Sequence, residues 1–202
     1  YSPTSELGKV TKSTPMGSAD RPVSPCVFAL AAGATFVART VDRNIAHMEE
    51  TLRLAAAHKG AAFVEILQNC NVYNDLAWNV LYDKDSKVLH ECRLEHGKPV
   101  TFGPADDRRG LVLEGLKPKV VKVKDVATSA LWVHDATDRA TAMLLAQLWV
   151  PAYPVPVGVL LNLEGETTYE EIVIQQEQKA ISDRGAGDVG KLLVSGETWK
   201  IG

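Results

Sequence analysis

The chain has 202 residues, 46% hydrophobic and 23% charged, which is the composition of an ordinary globular protein with one domain of good size. A net charge of −3 gives no reason to expect a nucleic-acid or membrane surface, and no apolar run of about 18 residues is present for a membrane helix. The three cysteines form no C-x-x-C pair and are too few for a disulfide framework, which predicts a reducing, cytoplasmic location.

Residues 1–24 are rich in Pro, Ser and Thr and show no apolar periodicity, which predicts an extended loop. The sequence starts inside this loop, with no initiator Met and no signal-peptide pattern, so we expect a fragment of a longer chain. Gly8 and Lys9 suggest a phosphate loop, but Pro3 stands where that motif needs its first glycine, and we reject the motif. A basic, hydroxyl-rich loop beside an anionic cofactor remains an alternative.

The next segment alternates helices and strands. Both strands are apolar throughout, as expected for parallel strands that are covered by helices on both faces. The predicted fold class is therefore α/β with a parallel sheet, and further strands of that sheet are expected upstream. The first helix is expected to begin with Ser24 as N-cap and Pro25 at its first position, and to end at Gly33. The predicted order is helix 24–32, strand 35–39, helix 42–60 and strand 62–67.

The second of these helices has one apolar stripe, which is expected to face the core. Asp42 is predicted to cap its N-terminus, and Gly60 to end it. His47 and His58 lie on or near its polar face and are expected to be solvated. The apolar stripe consists of Ile45, Met48, Leu52, Ala55 and Ala56.

After Asp75 the pattern becomes less regular. The segment 83–107 is polar and rich in turn residues, and the apolar run at 120–123 predicts one edge strand. Asp135 is predicted to cap a helix that ends near Trp149.

The C-terminal part contains an extended segment and one clear helix. Prolines and valines at 153–158 predict a polyproline-like stretch. Thr168 and Glu171 form a capping-box pattern at the start of a helix predicted for 168–182. Glycines then break the chain into a tail.

Several histidines and cysteines are weak candidates for a metal site. His90, Cys92 and His96 match no common zinc spacing and lack a fourth ligand, so we interpret them as surface residues of a turn-rich segment. His134 precedes Asp135, but the Asp135 carboxylate is better explained as a helix cap.

Cys70 follows the predicted strand 62–67 at its carboxyl end, between Asn69 and Asn71. In open parallel α/β sheets, ligands and cofactors collect at that edge. Taken alone, this position is equally compatible with a packed thiol and with a soft metal ligand, because cysteines are commonly buried. Cys26, by contrast, falls inside an apolar helix and is expected to be a small buried hydrophobe.

Several stretches together resemble the β subunit of 2-oxoacid:ferredoxin oxidoreductases, and most closely the 2-oxoglutarate type. The resemblance covers the whole chain, and it depends on the order and number of the stretches rather than on any one of them. They are YSPTS (1–5), KSTPMGS (12–18), GATFVAR (33–39), HKG (58–60), QNC (68–70), LEHGKP (94–99), WVHD (132–135), PVPVG (154–158) and SGETW (195–199).

The resemblance implies a thiamine-diphosphate-binding fold and a matching reaction. Residues 1–75 would be the C-terminal part of the cofactor-binding domain, and residues 76–202 a less compact C-terminal arm. A 2-oxoacid would be oxidatively decarboxylated to an acyl-CoA, with electrons passing through a [4Fe–4S] cluster to ferredoxin. The implied cofactors are thiamine diphosphate, Mg²⁺ and the cluster, and the implied partners are an α subunit, ferredoxin, the 2-oxoacid and coenzyme A.

The same resemblance suggests roles for four residues. Cys70 matches the last of four cluster cysteines, and a thiolate is the ligand that an iron–sulfur cluster requires. Ser2, Thr4 and Lys12 lie in the loop that follows the metal site in the family and are expected to bind the cofactor. The family's other cluster cysteines and its Mg-diphosphate motif lie before the point where this sequence starts, so we expect the 202 residues alone to be inactive. The alternative is a non-catalytic assembly module that docks a partner chain through residues 76–202.

Overall fold

The computed structural model describes residues 3–72, 74–199 and 201–202. The chain divides into two compact units, Tyr1–Gly165 and Glu166–Gly202. In the described residues the elements run in chain order as follows: α1 Pro25–Ala31, β1 Phe36–Val41, α2 Ile45–Ala57, β2 Ala62–Leu67, α3 Asn79–Tyr82, α4 Lys84–His90, β3 Glu91–Arg93, β4 Thr101–Phe102, β5 Arg109–Glu114, β6 Lys117–Lys122, α5 Arg139–Ala146, β7 Val155–Asn162, α6 Tyr169–Arg184 and α7 Val189–Leu193.

A mixed sheet forms the centre of the first unit, which confirms the α/β fold class. Its described strands have the order β2-β1-β7-β3. β1 and β2 are parallel and pair from Phe36↔Ala62 to Val41↔Leu67. The two strands are therefore parallel, as predicted, and they are also neighbours, so their carboxyl ends lie at the same edge of the sheet.

β7 was expected to be polyproline-like, and that expectation is wrong. It lies between β1 and β3, antiparallel to β1 and parallel to β3. Pro156 pairs with Cys92 of β3 and precedes the residues that pair with β1, which begin at Gly158. Its missing N–H therefore removes no hydrogen bond to β1. The boundary that we predicted between residues 75 and 76 stays a prediction, but β3 and β7 share a sheet with β1.

The start and the end of α1 follow local sequence rules, whereas the start of α2 does not follow the expected one. α1 begins with Ser24 as N-cap and Pro25 at its first position, and Gly33 follows it with φ of 90°, as the sequence indicated. For α2 the predicted cap was wrong: Asn44, not Asp42, accepts the hydrogen bond from the His47 backbone N–H.

The buried face of α2 is offset from the expected apolar stripe. His47 and Thr51 are its buried residues, whereas Ile45 of the stripe is 63% exposed and only Met48 and Ala55 of the stripe are partly buried. The Thr40 hydroxyl on β1 lies 2.8 Å from Nδ1 of His47, and the Thr51 hydroxyl donates to the His47 carbonyl at 2.7 Å. These bonds satisfy the polar groups that this packing buries, and burial lowers the pKa of His47.

His58 was also expected to be solvated, and it instead connects the end of α2 to β7 and to the residue before β1. Its Nε2 lies 2.7 Å from the Thr35 hydroxyl, and its Nδ1 lies 3.0 Å from Oδ1 of Asn162. Both ring nitrogens therefore contact polar side chains of neighbouring elements, and the residue is only half-exposed.

The segment between β2 and β7 is more regular than its composition indicated. Asp83 caps α4 by accepting from the backbone N–H groups of Asp85 and Ser86. β4, β5 and β6 form an antiparallel three-stranded sheet within the described residues. β6 lies at one edge of this sheet, in the region of the strand predicted at 120–123.

The cap of α5 is Asp138, while the Asp135 carboxylate accepts from the N–H and hydroxyl of Thr137. The prediction for Asp135 was therefore wrong, because its carboxylate closes the turn that precedes the N-cap of α5.

In the second unit, α6 begins with the predicted capping box. Thr168 accepts from the Glu171 N–H, and the Glu171 carboxylate accepts from the Thr168 N–H at 2.8 Å. The short α7 follows Gly185, where the sequence predicted only a tail. Among the residues that the structure describes, no helix has both the length and the apolar character needed to cross a membrane.

Candidate functional site

The candidate site lies at the edge where β1 and β2 end. Asp42 directly follows β1, and Cys70 stands three residues beyond the end of β2. The side chain of Cys70 is half-buried, and its carbonyl accepts a 2.8 Å hydrogen bond from the Asn74 N–H, which closes a tight turn. We call residues 69–76, apart from the undescribed Tyr73, the Cys70 turn.

Side chains within and next to the Cys70 turn fix its backbone. Nδ2 of Asn69 donates to Oδ1 of Asp75 at 2.8 Å, and Oδ1 of Asn69 accepts from the Leu76 N–H at 2.8 Å. Leu76 has φ of 62°, a left-handed conformation that is costly for a side chain of this size. The indole N–H of Trp78 donates to the Gln68 carbonyl at 2.8 Å. The turn is therefore held by several short hydrogen bonds, and Leu76 keeps an unfavourable backbone conformation within it.

Tyr82 of α3 connects this turn to the end of β1. Its hydroxyl oxygen accepts from the Asn69 N–H at 2.7 Å, and its O–H donates to Oδ1 of Asp42 at 2.6 Å. The Arg43 guanidinium lies over the ring, 4.4 Å from its centroid. Burial and the Asp42 hydrogen bond raise the pKa of Tyr82 to about 12, so the phenol keeps its proton at neutral pH. The sequence had indicated Asp42 as a helix cap and gave no signal for Tyr82.

The N-terminal loop also reaches the Cys70 turn. Nζ of Lys9 donates to Oδ1 of Asn74 at 2.6 Å and lies 3.8 Å from the Glu6 carboxylate. Backbone bonds between Gly8 and Ser18 and between Ser18 and Lys9 fold this loop back on itself. The contact places a cation on the turn that contains Cys70. The sequence had indicated a basic loop here but gave no signal for this contact of Lys9.

The three predicted cofactor-binding residues of the loop have different outcomes. Ser2 lies outside the described residues. Thr4 and Lys12 are exposed, on the same loop as Lys9. Their cofactor-binding role stays a prediction.

The other two cysteines are placed for packing. Cys26 and Cys92 are both 0% exposed, and their thiols contact Glu65 at 3.1 Å and the Thr101 carbonyl at 3.5 Å. Burial raises the pKa of both thiols, that of Cys92 to about 12. Cys26 is thus a buried residue, as its apolar helix indicated, whereas Cys92 is not the surface residue that we expected. Among the described residues, no three His, Cys, Asp or Glu side chains are grouped as a metal site.

A buried ion pair supports the sheet behind the candidate site. Nε of Arg39 lies 2.6 Å from the Glu65 carboxylate, and the Arg39 side chain is only 2% exposed. Its other nitrogens donate to the carbonyls of Pro156 and Ala146, and the guanidinium lies 5.1 Å from the Trp149 ring centroid. One side chain therefore joins β1, β2, β7 and the end of α5.

Comparison with known proteins finds related sequences along the whole chain, although no family model matches it. It is 39% identical over 205 aligned positions to 2-oxoglutarate oxidoreductase subunit KorB of Mycobacterium tuberculosis, covering 100% of this chain and 54% of that protein. It is 41% identical over 176 residues to the β subunit of 2-oxoacid:ferredoxin oxidoreductase 1 of Aeropyrum pernix, covering 87% of this chain and 45% of that protein. The chain thus spans about half the length of the curated relatives that it matches.

A solved structure confirms the fold. It is the 2-oxoglutarate:ferredoxin oxidoreductase of Magnetococcus marinus with 2-oxoglutarate, coenzyme A and succinyl-CoA bound. The TM-score is 0.63 at 21% identity, over 98% of this chain and 53% of that one. The sequence identities along the chain therefore confirm the resemblance seen in the short stretches. The structural similarity confirms the fold.

Proposed function

Because this chain is related along its full length to the β subunits of 2-oxoacid:ferredoxin oxidoreductases, we propose that it acts in such an enzyme, with 2-oxoglutarate as the substrate. The observation that carries the proposal is the 39% identity over the whole chain to a subunit named for 2-oxoglutarate. The reaction proposed for the complete enzyme is the oxidative decarboxylation of the 2-oxoacid. The acyl group passes to coenzyme A, and two electrons leave for ferredoxin.

Within this proposal, the residues described here would meet the cofactors at the carboxyl edge of the sheet. Thiamine diphosphate with Mg²⁺ supplies the stabilisation of the carbanion, and a [4Fe–4S] cluster carries single electrons. Cys70 fits the role of one cluster ligand because it is half-exposed at this edge and its turn is fixed by hydrogen bonds. Cys26 and Cys92 do not fit that role, since both are enclosed in the core. The remaining cluster ligands are assigned outside these 202 residues.

The N-terminal loop is the second contribution of this chain to the proposed site. Its Lys9 side chain already contacts the Cys70 turn, which supports a position of the loop beside the cluster and the cofactor. We assign Ser2, Thr4 and Lys12 to the same surface as candidate cofactor contacts. A positive charge there favours the anionic diphosphate and the anionic cluster.

The proposed partners follow from the reaction. An α subunit completes the enzyme, ferredoxin accepts the electrons, and the 2-oxoacid and coenzyme A are the small-molecule substrates. We place the reaction in the cytoplasm, where cysteine thiols remain reduced.

A non-catalytic assembly role is the second candidate, and one observation favours it. The Glu166–Gly202 unit exposes large apolar side chains, which is typical of a surface that another chain covers. These side chains include Tyr169, Ile172, Val189, Leu192, Leu193 and Trp199.

The test is an electron-transfer assay with the full chain, co-produced with its α subunit. We expect 2-oxoglutarate and coenzyme A together to reduce ferredoxin, with 2-oxoglutarate preferred over pyruvate. A preference for pyruvate would correct the substrate and keep the enzyme class. If an assembled, cluster-loaded complex fails to reduce ferredoxin with every 2-oxoacid tested, the enzymatic role is rejected and the assembly role is favoured.

A further inference from the structure

The Tyr82 hydroxyl lies between the two chain segments that leave the sheet at the candidate site. On one side it receives the backbone N–H of Asn69, the residue directly before Cys70. On the other side it donates to the carboxylate of Asp42, the residue directly after β1. Both distances are below 2.8 Å, so one oxygen fixes the backbone next to Cys70 relative to the end of β1.

The rest of the Tyr82 side chain is held separately from its hydroxyl. Its ring contacts the Arg43 guanidinium, and it packs against the apolar cluster of buried residues that includes Val41, Leu67 and Leu81. A phenylalanine at this position retains that packing. The two hydrogen bonds can therefore be removed while the ring stays in place.

Removing the hydroxyl has a specific local consequence. The Asn69 N–H loses its acceptor, and Asp42 loses a charge-assisted donor. The Gln68–Asn69 peptide would then be held by the Trp78 indole N–H on its carbonyl and by the side-chain bonds of Asn69 to Asp75 and Leu76. Because Leu76 is held in a left-handed conformation, the turn gains freedom to relax when one of its anchors is lost.

We propose that Tyr82 is the positioning residue that holds the Cys70 thiol at the carboxyl edge of the sheet, acting through the Asn69 backbone and Asp42. The use of that thiol as a cluster ligand rests on the proposed function, whereas the positioning itself is a property of this chain. Tyr82 need not touch the cluster or a substrate in this role.

The test measures alkylation of individual cysteines in the full chain after its cluster has been removed with a chelator and an oxidant, followed by reduction of the thiols. Iodoacetamide labelling is quantified by mass spectrometry for the peptides that contain Cys26, Cys70 and Cys92. The two buried cysteines report general opening of the core, so they are internal references for Cys70. Tyr153→Phe is the matched control, since the Tyr153 hydroxyl donates to the Pro118 carbonyl away from this edge.

In Tyr82→Phe we expect Cys70 to be labelled about fivefold faster, the change that corresponds to about one lost hydrogen bond. Labelling of Cys26 and Cys92 should stay unchanged, and Tyr153→Phe should leave all three rates unchanged. A Cys70 rate within about twofold of the wild type overturns the proposal. A parallel rise at all three cysteines also overturns it, because it shows a merely structural role.

A second pair of variants covers the case in which Tyr82→Phe does not fold. Asp42→Ala removes the acceptor of the Tyr82 hydroxyl, whereas Asp42→Asn keeps an oxygen in its place. We expect faster Cys70 labelling in Asp42→Ala and rescue in Asp42→Asn, and equal rates in the two variants contradict the proposal. Because labelling is measured without the cluster, it is independent of the proposed role of Cys70 as a cluster ligand. That role fails if Cys70→Ser keeps the iron content and the spectrum of the wild-type cluster.

Discussion

Cys70 is held by bonds that come from distant parts of the chain. Tyr82 anchors the residue before it, and Lys9 anchors Asn74, the residue that closes the turn. Local rules account for the position of Cys70 after an apolar strand, and that much was predicted from the sequence. Neither anchor follows from spacing, because each joins residues that only the folded sheet brings together.

The Arg39–Glu65 ion pair gives a prediction at the same scale. In Glu65→Gln the Arg39 guanidinium loses its counter-charge while it remains buried, and we expect a loss of about 3 kcal/mol in the free energy of unfolding of the full chain. Urea unfolding measures this change. The matched control is Glu50→Gln, which removes the partner of Arg93 in an ion pair that is 51% and 57% exposed and should cost less than about 1 kcal/mol. Equal losses in the two variants would contradict the importance of burial.

The ends of helices could be predicted where nearby residues determine them. The buried face of a helix and the pairing of a strand could not, because they depend on residues far away in the sequence. Pro25 at the start of α1 and the capping box of α6 are local signals, and both hold. The buried face of α2 is offset from the predicted stripe because the Thr40 hydroxyl of β1 forms a hydrogen bond with His47. β7 was missed because its one proline, Pro156, is tolerated only where β1 does not pair with it.

The capping box allows a test on α6. In Thr168→Ala the helix loses the side-chain acceptor for the Glu171 N–H, at a cost of about 1 kcal/mol to its first turn. We expect backbone amides of that turn to exchange hydrogen about fivefold faster, as measured by hydrogen–deuterium exchange. Thr167→Ala, at the residue before the cap, should leave the exchange unchanged. Equal exchange in Thr168→Ala and the wild type would show that the cap does not stabilise the helix in solution.

For the molecule as a whole, short sequence stretches in the right order predicted the family, and comparison over the full chain confirmed it. The α/β class was also predicted, since two apolar strands with intervening helices indicate a parallel pair. The mixed character of the sheet was not predicted, because β7 joins β1 from more than 100 residues away along the chain. At this scale we propose above all that this chain supplies one thiolate, that of Cys70, to an iron–sulfur cluster.

The most direct test of that claim compares Cys70→Ser with Cys92→Ala in the full chain assembled with its α subunit. Iron content, visible absorbance and the electron paramagnetic resonance spectrum of the reduced protein report the cluster. We expect Cys70→Ser to lose most of the cluster iron or to show an altered spectrum, and Cys92→Ala to match the wild type, because its thiol is enclosed in the core. Unchanged iron content and an unchanged spectrum in Cys70→Ser would contradict the account.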